Sequence, residues 1–286
     1  MPNDLLIEQI VRAAILEDIG RGADITTDSI LSEQIVARGS IIARQRGVVA
    51  GQRAARLTFA LLDPRVGYEI LADDGAEIDA RAPIARLSGP ARTILTGERT
   101  ALNFLSHLSG VATATRLLVE RIGSYRAHLV CTRKTTPGLR TLERSAVVAG
   151  GGSLHRYGLD DAVLIKDNHI MLAGGVGAAI AAVREKIGHT TTVEVEVDTL
   201  EQLREAIELP IDALLLDNMP VEMLRQAVAI VAGRVLTEAS GAVTPENVAS
   251  IAATGVDLIS SGWITHSAPA LDLGLDIEAT SDKRRA

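Results

Sequence analysis

The sequence predicts an α/β protein, with a small α+β unit of antiparallel strands followed by a parallel strand–helix repeat. Three observations lead there. From about Ile35 to Leu87, short alternating segments are separated by turn signals such as Asp74-Gly75. After about Thr113, apolar runs alternate with helical patterns, which means parallel pairing through right-handed crossovers. Nearly every predicted strand of this second half ends in a polar or charged residue or a glycine. A parallel barrel gathers such ends at one mouth, whereas an open sheet joins only those beside its switch point. Roughly six repeats are visible, fewer than a complete barrel has; either the barrel is smaller or the sheet stays open, and the strand ends favour the barrel.

The elements follow in order. Leu5 to Leu16 reads as an amphipathic helix with Leu6, Ile10, Ala13 and Ala14 on one side, ended by Glu17-Asp18-Ile19-Gly20. Gly22 to Thr27 reads as loop. Strand patterns lie at Gly39–Arg44, Val48–Gly51 and Tyr68–Ala72, with a helix-like segment from Arg53 to Leu62. Ala91 to Leu108 reads as a long helix running into Ser109-Gly110. Buried-strand runs follow at Ala127–Cys131, Ala162–Ile165, Thr192–Val195, Ala213–Leu216, Arg234–Thr237 and Leu258–Ser260. Helical patterns separate them at Leu139–Ala149, Val176–Ile187, Leu200–Glu208, Val221–Val231 and Pro245–Ala253.

Composition narrows the class. With 286 residues, 47% of them hydrophobic, the chain has material for one large domain or two modest ones. Aromatics are only 2%, so small aliphatic residues must fill the core, and the stacking platforms of single-strand nucleic-acid binders are lacking. Cys131 is the single cysteine, which excludes an intramolecular disulfide and argues against a cysteine-based zinc site. Met1-Pro2-Asn3-Asp4 lacks the basic and apolar regions of a signal peptide, and no apolar run approaches membrane-helix length. The expected compartment is the cytoplasm.

Charge is distributed unevenly. The formal charge is −7, yet cations concentrate in Thr132-Arg133-Lys134-Thr135, Gly150-Gly151-Gly152-Ser153-Leu154-His155-Arg156 and Leu164-Ile165-Lys166-Asp167-Asn168-His169. Such clustering on an acidic chain points to a pocket for a multiply anionic small molecule. A nucleic-acid surface would spread its charge over a face. Arg133 offers a planar fork to carboxylate or phosphate and Lys134 a point charge; a solvated basic turn is the plain alternative. Lys166 ends an apolar run and has two functional readings, an anion-binding ammonium or a desolvated Schiff-base nucleophile of the aldolase kind. Glu196 and Asp217 end apolar strands and suit Mg²⁺ held partly through water and substrate phosphates, or else serve as strand-end caps and ion-pair partners. Glu194 shares the face of Glu196 and is the weaker candidate. His155 beside Arg156 tilts toward substrate contact, while His107, His128, His169, His189 and His266 read as structural. Gly174-Gly175-Val176-Gly177 reads as a loop opening a helix. Glu238-Ala239-Ser240-Gly241-Ala242 and Ser261-Gly262, at the ends of the last two strands, are the better phosphate candidates, because small residues let main-chain N–H groups approach an anion.

These motifs make the chain resemble the quinolinate phosphoribosyltransferases nearly end to end. The resemblance runs from Glu17-Asp18-Ile19-Gly20 and Asp24-Ile25-Thr26-Thr27 through Gly97-Glu98-Arg99-Thr100-Ala101-Leu102-Asn103 to Thr265-His266-Ser267-Ala268-Pro269. Its most specific part is Thr132–Thr135 with Pro137-Gly138-Leu139-Arg140, Gly150–Arg156 and Leu164–His169. The resemblance implies an N-terminal α/β sandwich domain at 1–112, completed by 267–286, and an incomplete barrel of roughly six to seven strands at 113–266. It also implies the joining of quinolinate to phosphoribosyl pyrophosphate, giving nicotinate mononucleotide, pyrophosphate and CO₂ in NAD synthesis. By motif position, Thr132, Arg133, His155 and Arg156 belong to the substrate site, the latter three holding the quinolinate carboxylates. Lys134 and Lys166 would line the junction of the two substrates. Glu196 and Asp217 would engage ribose and Mg²⁺-pyrophosphate, and Ser240, Gly241, Ala242, Ser261 and Gly262 the 5′-phosphate. Arg99 would reach into the neighbouring subunit's site in a homodimer or a dimer-based hexamer. No nucleic acid and no membrane is an expected partner. Two departures stand out: the family usually has Gly in place of Ala242 and a small residue in place of Trp263, and both bear on the phosphate loop. A related group associated with molybdate transport shares the fold but differs in the Thr-Arg-Lys segment. A barrel that binds a phosphorylated ligand without catalysis is the non-enzyme alternative.

Overall fold

A computed structural model describes residues 4–278 of the chain. In chain order its elements are α1 (Asp4–Ile19), α2 (Ile25–Ile30), β1 (Val36–Ala43), β2 (Gly47–Val48), α3 (Gln52–Leu62), β3 (Gly67–Ile70), β4 (Glu77–Ile78), β5 (Pro83–Pro90) and α4 (Ala91–Ile122). Then come β6 (His128–Val130), α5 (Arg140–Ala149), β7 (Val163–Ile165), α6 (Asp167–Ala173), α7 (Val176–Arg184), β8 (Val193–Val197), α8 (Leu200–Ala206) and β9 (Ala213–Asp217). The chain continues through α9 (Val221–Val231), β10 (Leu236–Ser240), α10 (Val248–Ala252), β11 (Leu258–Ser260), α11 (Trp263–His266) and β12 (Leu273–Glu278).

Internal packing divides the chain into two compact units. The first takes the chain up to Arg116, Thr136–Gly151 and the chain from Ala268; the second takes Leu117–Thr135 and Gly152–Ser267. Relative to the expected domains, the division moves from 112 to Arg116, and Thr136–Gly151, expected in the second domain, groups with the first. Of the expected C-terminal completion, β12 is described, while 279–286 lie outside the described residues.

In the first unit a four-stranded antiparallel sheet has the order β12-β1-β5-β3. Along β1 the side chains alternate, so Ala37, Ile41 and Ala43 are buried while Val36 and Arg38 face outward. With few aromatics available, aliphatic residues such as Ile84, Ile94 and Leu105 fill the core around Phe59, whose ring lies 6.0 Å from that of Tyr68. The loop expected at Gly22–Thr27 is partly helix, because the Asp24 carboxylate accepts from the Thr27 main-chain N–H at 3.0 Å and caps α2.

Helix α4 does not stop at Leu108; it runs 32 residues, straight through Ser109-Gly110. The Ser109 hydroxyl accepts from the Ala50 N–H at 3.0 Å rather than competing for its own helix. Gly110 is there for space. A Cβ at that position would sit well inside contact distance of the Pro269 carbonyl oxygen and 3.0 Å from the Ala270 Cα. The glycine that reads as a helix terminator is thus a contact point within the helix.

The second unit is a six-stranded parallel sheet in the order β6-β11-β10-β9-β8-β7. Its edge strands β6 and β7 are consecutive in the chain and share no ladder, so the ring is incomplete, with six strands rather than seven. The sequence patterns locate all six, with β10 lying slightly later than the run from which it was expected. In this unit they miss α6 and α11, both short and without a long apolar period, and in the first unit they miss the strands β4, β5 and β12. Among the described residues no helix is long and apolar enough to cross a membrane.

Substituting Gly110 by Ala tests the close approach. Helix propensity alone favours Ala by about 1 kcal/mol, whereas a clash with backbone costs roughly 1–3 kcal/mol. The expected result is a lower urea midpoint for Gly110→Ala; an equal or higher midpoint would show that the approach is not tight.

Candidate active site

The site follows from the two-residue period of the strands. Strand β8 reads Val-Glu-Val-Glu-Val and all five residues are buried. Because side chains alternate, Glu194 and Glu196 share one face and the valines the other. Register carries that face to the neighbours: Leu164 lies opposite Glu194, Leu215 opposite both Glu196 and Glu238, and Asp217 opposite Ser240. The residue two positions further along each strand comes to the C-terminal rim, giving Lys166, Glu196, Asp217 and Ser240 on successive strands. A cavity of about 470 Å³ opens there, wholly within the second unit.

The floor holds a buried triad. The His155 Nε2 lies 3.0 Å from Glu194 Oε2 and 3.4 Å from Glu238 Oε2. Burial works against an imidazolium, but the two carboxylates outweigh it and raise the pKa of His155 above its ordinary value. The Arg156 main-chain N–H donates to the other ring nitrogen, Nδ1, at 2.8 Å and pulls the opposite way. Burial raises the Glu194 pKa, the His155 hydrogen bond draws it back, and the neighbouring Glu238 charge adds to the rise. Both Glu238 carboxylate oxygens are buried without a hydrogen-bond partner. One nitrogen and two carboxylate oxygens here lie within 4.8 Å of one another, a set that also suits a divalent cation. Arg133 and Arg156 line the same cavity, and their positive charge opposes a cation at the triad.

The two arginines instead prepare the cavity for an anion. Burial lowers the Arg156 pKa first, and the nearby Arg133 charge lowers it further. The Arg133 Nε is buried with no hydrogen-bond partner. A carboxylate placed there would satisfy that donor and relieve the repulsion between two guanidiniums.

At the rim, Lys166 Nζ lies 2.6 Å from Glu196 Oε2, with the lysine side chain 47% exposed and the glutamate 8%. The Lys166 main-chain N–H donates to His169 Nδ1 at 2.9 Å, which fixes the start of α6 and gives His169 a structural task. The Asp217 Oδ2 accepts from the Asn218 amide at 2.6 Å. Gly241 and Ala242 take the left-handed conformation, with φ of 102° and 45°. For Ala242 this costs a Cβ contact that a glycine would avoid, which is the physical content of that departure from the usual family residue.

Of the predicted residues, Thr132, Arg133, Lys134, His155, Arg156 and Lys166 line the cavity. So do Glu196, Asp217, Ser240, Gly241 and Ala242. Ser261 and Gly262 do not. The Ser261 N–H is given to the Val130 carbonyl and its hydroxyl to that of Val243, at 3.1 and 3.2 Å, leaving no donor for a phosphate. Gly262 lies behind Lys134, where a Cβ would come 3.0 Å from the lysine Cδ. Trp263 opens α11 and is not among the lining residues, so it does not crowd the cavity. Arg99 is exposed on α4, in the first unit. Asn218, Ser260, Leu164 and Leu215 line the cavity without having been predicted as site residues, and Glu238, expected at the start of the phosphate loop, lines it beside His155 instead. A two-residue step back from Ser240, Asp217 and Lys166 would have found Glu238, Leu215 and Leu164; nothing in the sequence marks Asn218 except its place beside Asp217. A larger groove of about 810 Å³ lies in the first unit, bordered by α1 and α4, but no arginine or lysine lines it.

Comparison with known proteins shows the family. The family model for the C-terminal domain of quinolinate phosphoribosyl transferase matches residues 111–276, and that for the N-terminal domain matches 24–109. A probable carboxylating nicotinate-nucleotide pyrophosphorylase of Bacillus subtilis is 41% identical over 280 residues, covering 98% of this chain and 96% of its own. The carboxylating nicotinate-nucleotide pyrophosphorylase of Mycobacterium leprae is 42% identical over 272 residues, covering 93% and 95%. The solved nicotinate-nucleotide pyrophosphorylase of Francisella tularensis superposes with a TM-score of 0.93 at 40% identity, covering 97% of this chain and 98% of that one. With both domain models matched in order and such identity along nearly its whole length, the chain belongs to the quinolinate phosphoribosyltransferase family.

Proposed function

We propose that this chain transfers the phosphoribosyl group of phosphoribosyl pyrophosphate to the ring nitrogen of quinolinate, with loss of CO₂, giving nicotinate mononucleotide and pyrophosphate. One observation carries the reading: a single cavity holds two half-buried arginines and a histidine together with two rim carboxylates and a small-residue loop. Quinolinate is a planar dianion, and Arg133, His155 and Arg156 are the groups that suit its carboxylates. Lys134 and Lys166 supply positive charge where the two substrates meet. The Ser240-Gly241-Ala242 loop is the place for the 5′-phosphate, while Ser261 and Gly262 support the loop and Lys134 from behind.

Glu196 and Asp217 are hard oxygen donors on adjacent strands, the ligand type that Mg²⁺ takes alongside substrate phosphates, so the donor set fits that ion. When bound, Mg²⁺ would neutralise charge on the departing pyrophosphate. The protein's own part is positioning and electrostatics. As the ribose–pyrophosphate bond breaks, positive charge grows at the ribose carbon, and the Glu196 and Asp217 carboxylates stabilise it. The ring nitrogen then bonds to that carbon. The nitrogen, now positive, stabilises electrostatically the electron pair left on C2 when the C2–carboxylate bond breaks and CO₂ departs, and C2 then takes a proton from solvent while the ring nitrogen keeps its positive charge. No step needs a covalent enzyme intermediate. Lys166, ion-paired to Glu196, acts in this scheme as a charge and not as a Schiff base. Arg99 completes the site from a neighbouring subunit of a homodimer.

Quinolinate, phosphoribosyl pyrophosphate and Mg²⁺ together should release CO₂, and nicotinate in place of quinolinate should give no nucleotide. Ligand binding without CO₂ or pyrophosphate release would establish the non-catalytic alternative. Lys134→Ala and Glu196→Ala should each lower kcat by about a hundredfold or more, the scale of lost transition-state electrostatics, with an unchanged circular dichroism spectrum; near-normal kcat would remove that residue from the scheme. Mixing inactive Arg99→Ala with inactive Arg133→Ala subunits should restore activity, since one site in the mixed dimer is intact. No recovery in a verified heterodimer would refute donation of Arg99.

A further inference from the structure

The Asp217 carboxylate and the Ser240-Gly241-Ala242 loop lie on adjacent strands, and one side chain touches both. We propose that Asn218 is a positioning residue that holds this carboxylate and this loop in a single register. The ribose-facing and phosphate-facing parts of the site are thereby set together. The inference rests on the proposed function and assigns to Asn218 a selective effect on the phosphoribosyl donor.

The geometry is specific at four points. Asn218 directly follows β9 with φ of 50°, a left-handed conformation that asparagine tolerates better than most residues. Its main-chain N–H donates to the Ser240 carbonyl at 2.9 Å, extending the pairing of Asp217 with Ser240 by one step. Its side-chain Nδ2 donates to Asp217 Oδ2 at 2.6 Å; only the NH₂ end of the amide can face a carboxylate in this way. The other end of the same amide lies against Gly241. A Cβ on Gly241 would fall 2.7 Å from the Asn218 Cγ and closer still to its Oδ1. Gly241, at φ of 102°, therefore has two reasons to lack a side chain. The far side of the loop is tied independently, since Asn247 donates to the Ala242 carbonyl at 2.9 Å. Asn218 is thus a strut between the carboxylate and a loop anchored at its other end.

Other residues fail for stated reasons. Aspartate keeps the size and the left-handed tolerance but sets a second negative charge against Asp217. Glycine keeps the backbone and loses the strut. Leucine or valine offers no donor, and valine is strained at this φ.

The test compares Asn218→Asp, Asn218→Gly and Gly241→Ala with the wild-type protein in the presence of Mg²⁺, measuring KM for each substrate and kcat. A second readout, independent of turnover and metal, is the dissociation constant of nicotinate mononucleotide by titration calorimetry without added Mg²⁺. Asn218→Asp should raise KM for phosphoribosyl pyrophosphate about tenfold or more, the scale of one lost charge-assisted hydrogen bond, and leave KM for quinolinate within about twofold. Affinity for nicotinate mononucleotide should fall in parallel. Asn218→Gly should show a smaller effect of the same selectivity. Gly241→Ala, which attacks the contact from the loop side, should reproduce it even if Asn218→Asp does not fold. An unchanged donor KM in every folded variant, or equal increases for both substrates, overturns the inference while leaving the proposed function intact. A wild-type protein that forms no nicotinate mononucleotide overturns the functional reading and this role with it.

Discussion

The two-residue alternation of six parallel strands is the constraint on which the rest of the structure depends. On β8 it buries Val193, Val195 and Val197 on one face and turns Glu194 and Glu196 to the other. On β9 it does the same with Leu214 and Leu216 against Leu215 and Asp217. Slipping either strand by one residue would exchange the faces, placing carboxylates among the helices and aliphatic groups in the cup. Each fully buried valine or leucine contributes about 1.5–3 kcal/mol, so the apolar face sets the register and the polar face is carried with it. The chemistry of the cup is in this sense a consequence of the packing behind it.

Charge then determines what the cup accepts. The chain as a whole is acidic, at −7, yet Arg133 and Arg156 sit close enough to lower the pKa of Arg156. The Glu194–His155–Glu238 triad below them is anchored on β8 and β10 and holds the imidazole in place. An unsatisfied Arg133 Nε beside this triad is a standing demand for an acceptor. A planar dianion answers that demand better than a nucleic acid or a metal ion, because it brings acceptors and compensating charge in one rigid piece. At the rim, Lys166 and Glu196 hold each other, and Asp217 is held by Asn218, so the groups proposed for catalysis are already fixed by their own neighbours.

Much of this was legible in the sequence, and the reasons differ by element. The six parallel strands were visible because buried strands are short continuous apolar runs between helical patterns. Eleven of the predicted site residues line the cavity, because charged residues at the ends of apolar runs, and the glycine-rich and small-residue motifs beside them, stand out in the sequence. Gly110 was read as a stop because a glycine's need for space within a helix depends on Pro269, far away in the chain. Ser261 and Gly262 looked like phosphate ligands because they are small, but smallness served packing under Val243 and Lys134 instead. Glu238 was read as the start of a phosphate segment and not as a floor residue, as its partner His155 lies far from it in the chain. Asn218 gave no signal at all, because its left-handed φ and its contact with Gly241 arise only when β9 and β10 are side by side.

The central claim is that strand ends from distant parts of the chain form one cup for a planar dianion. A crystal structure of the protein with quinolinate bound tests it most directly. The account predicts the ligand in the cavity of the second unit, with its carboxylates on Arg133, His155 and Arg156 and its ring nitrogen facing the rim. Quinolinate bound in the groove bordered by α1 and α4, or carboxylates turned away from both arginines, would contradict it.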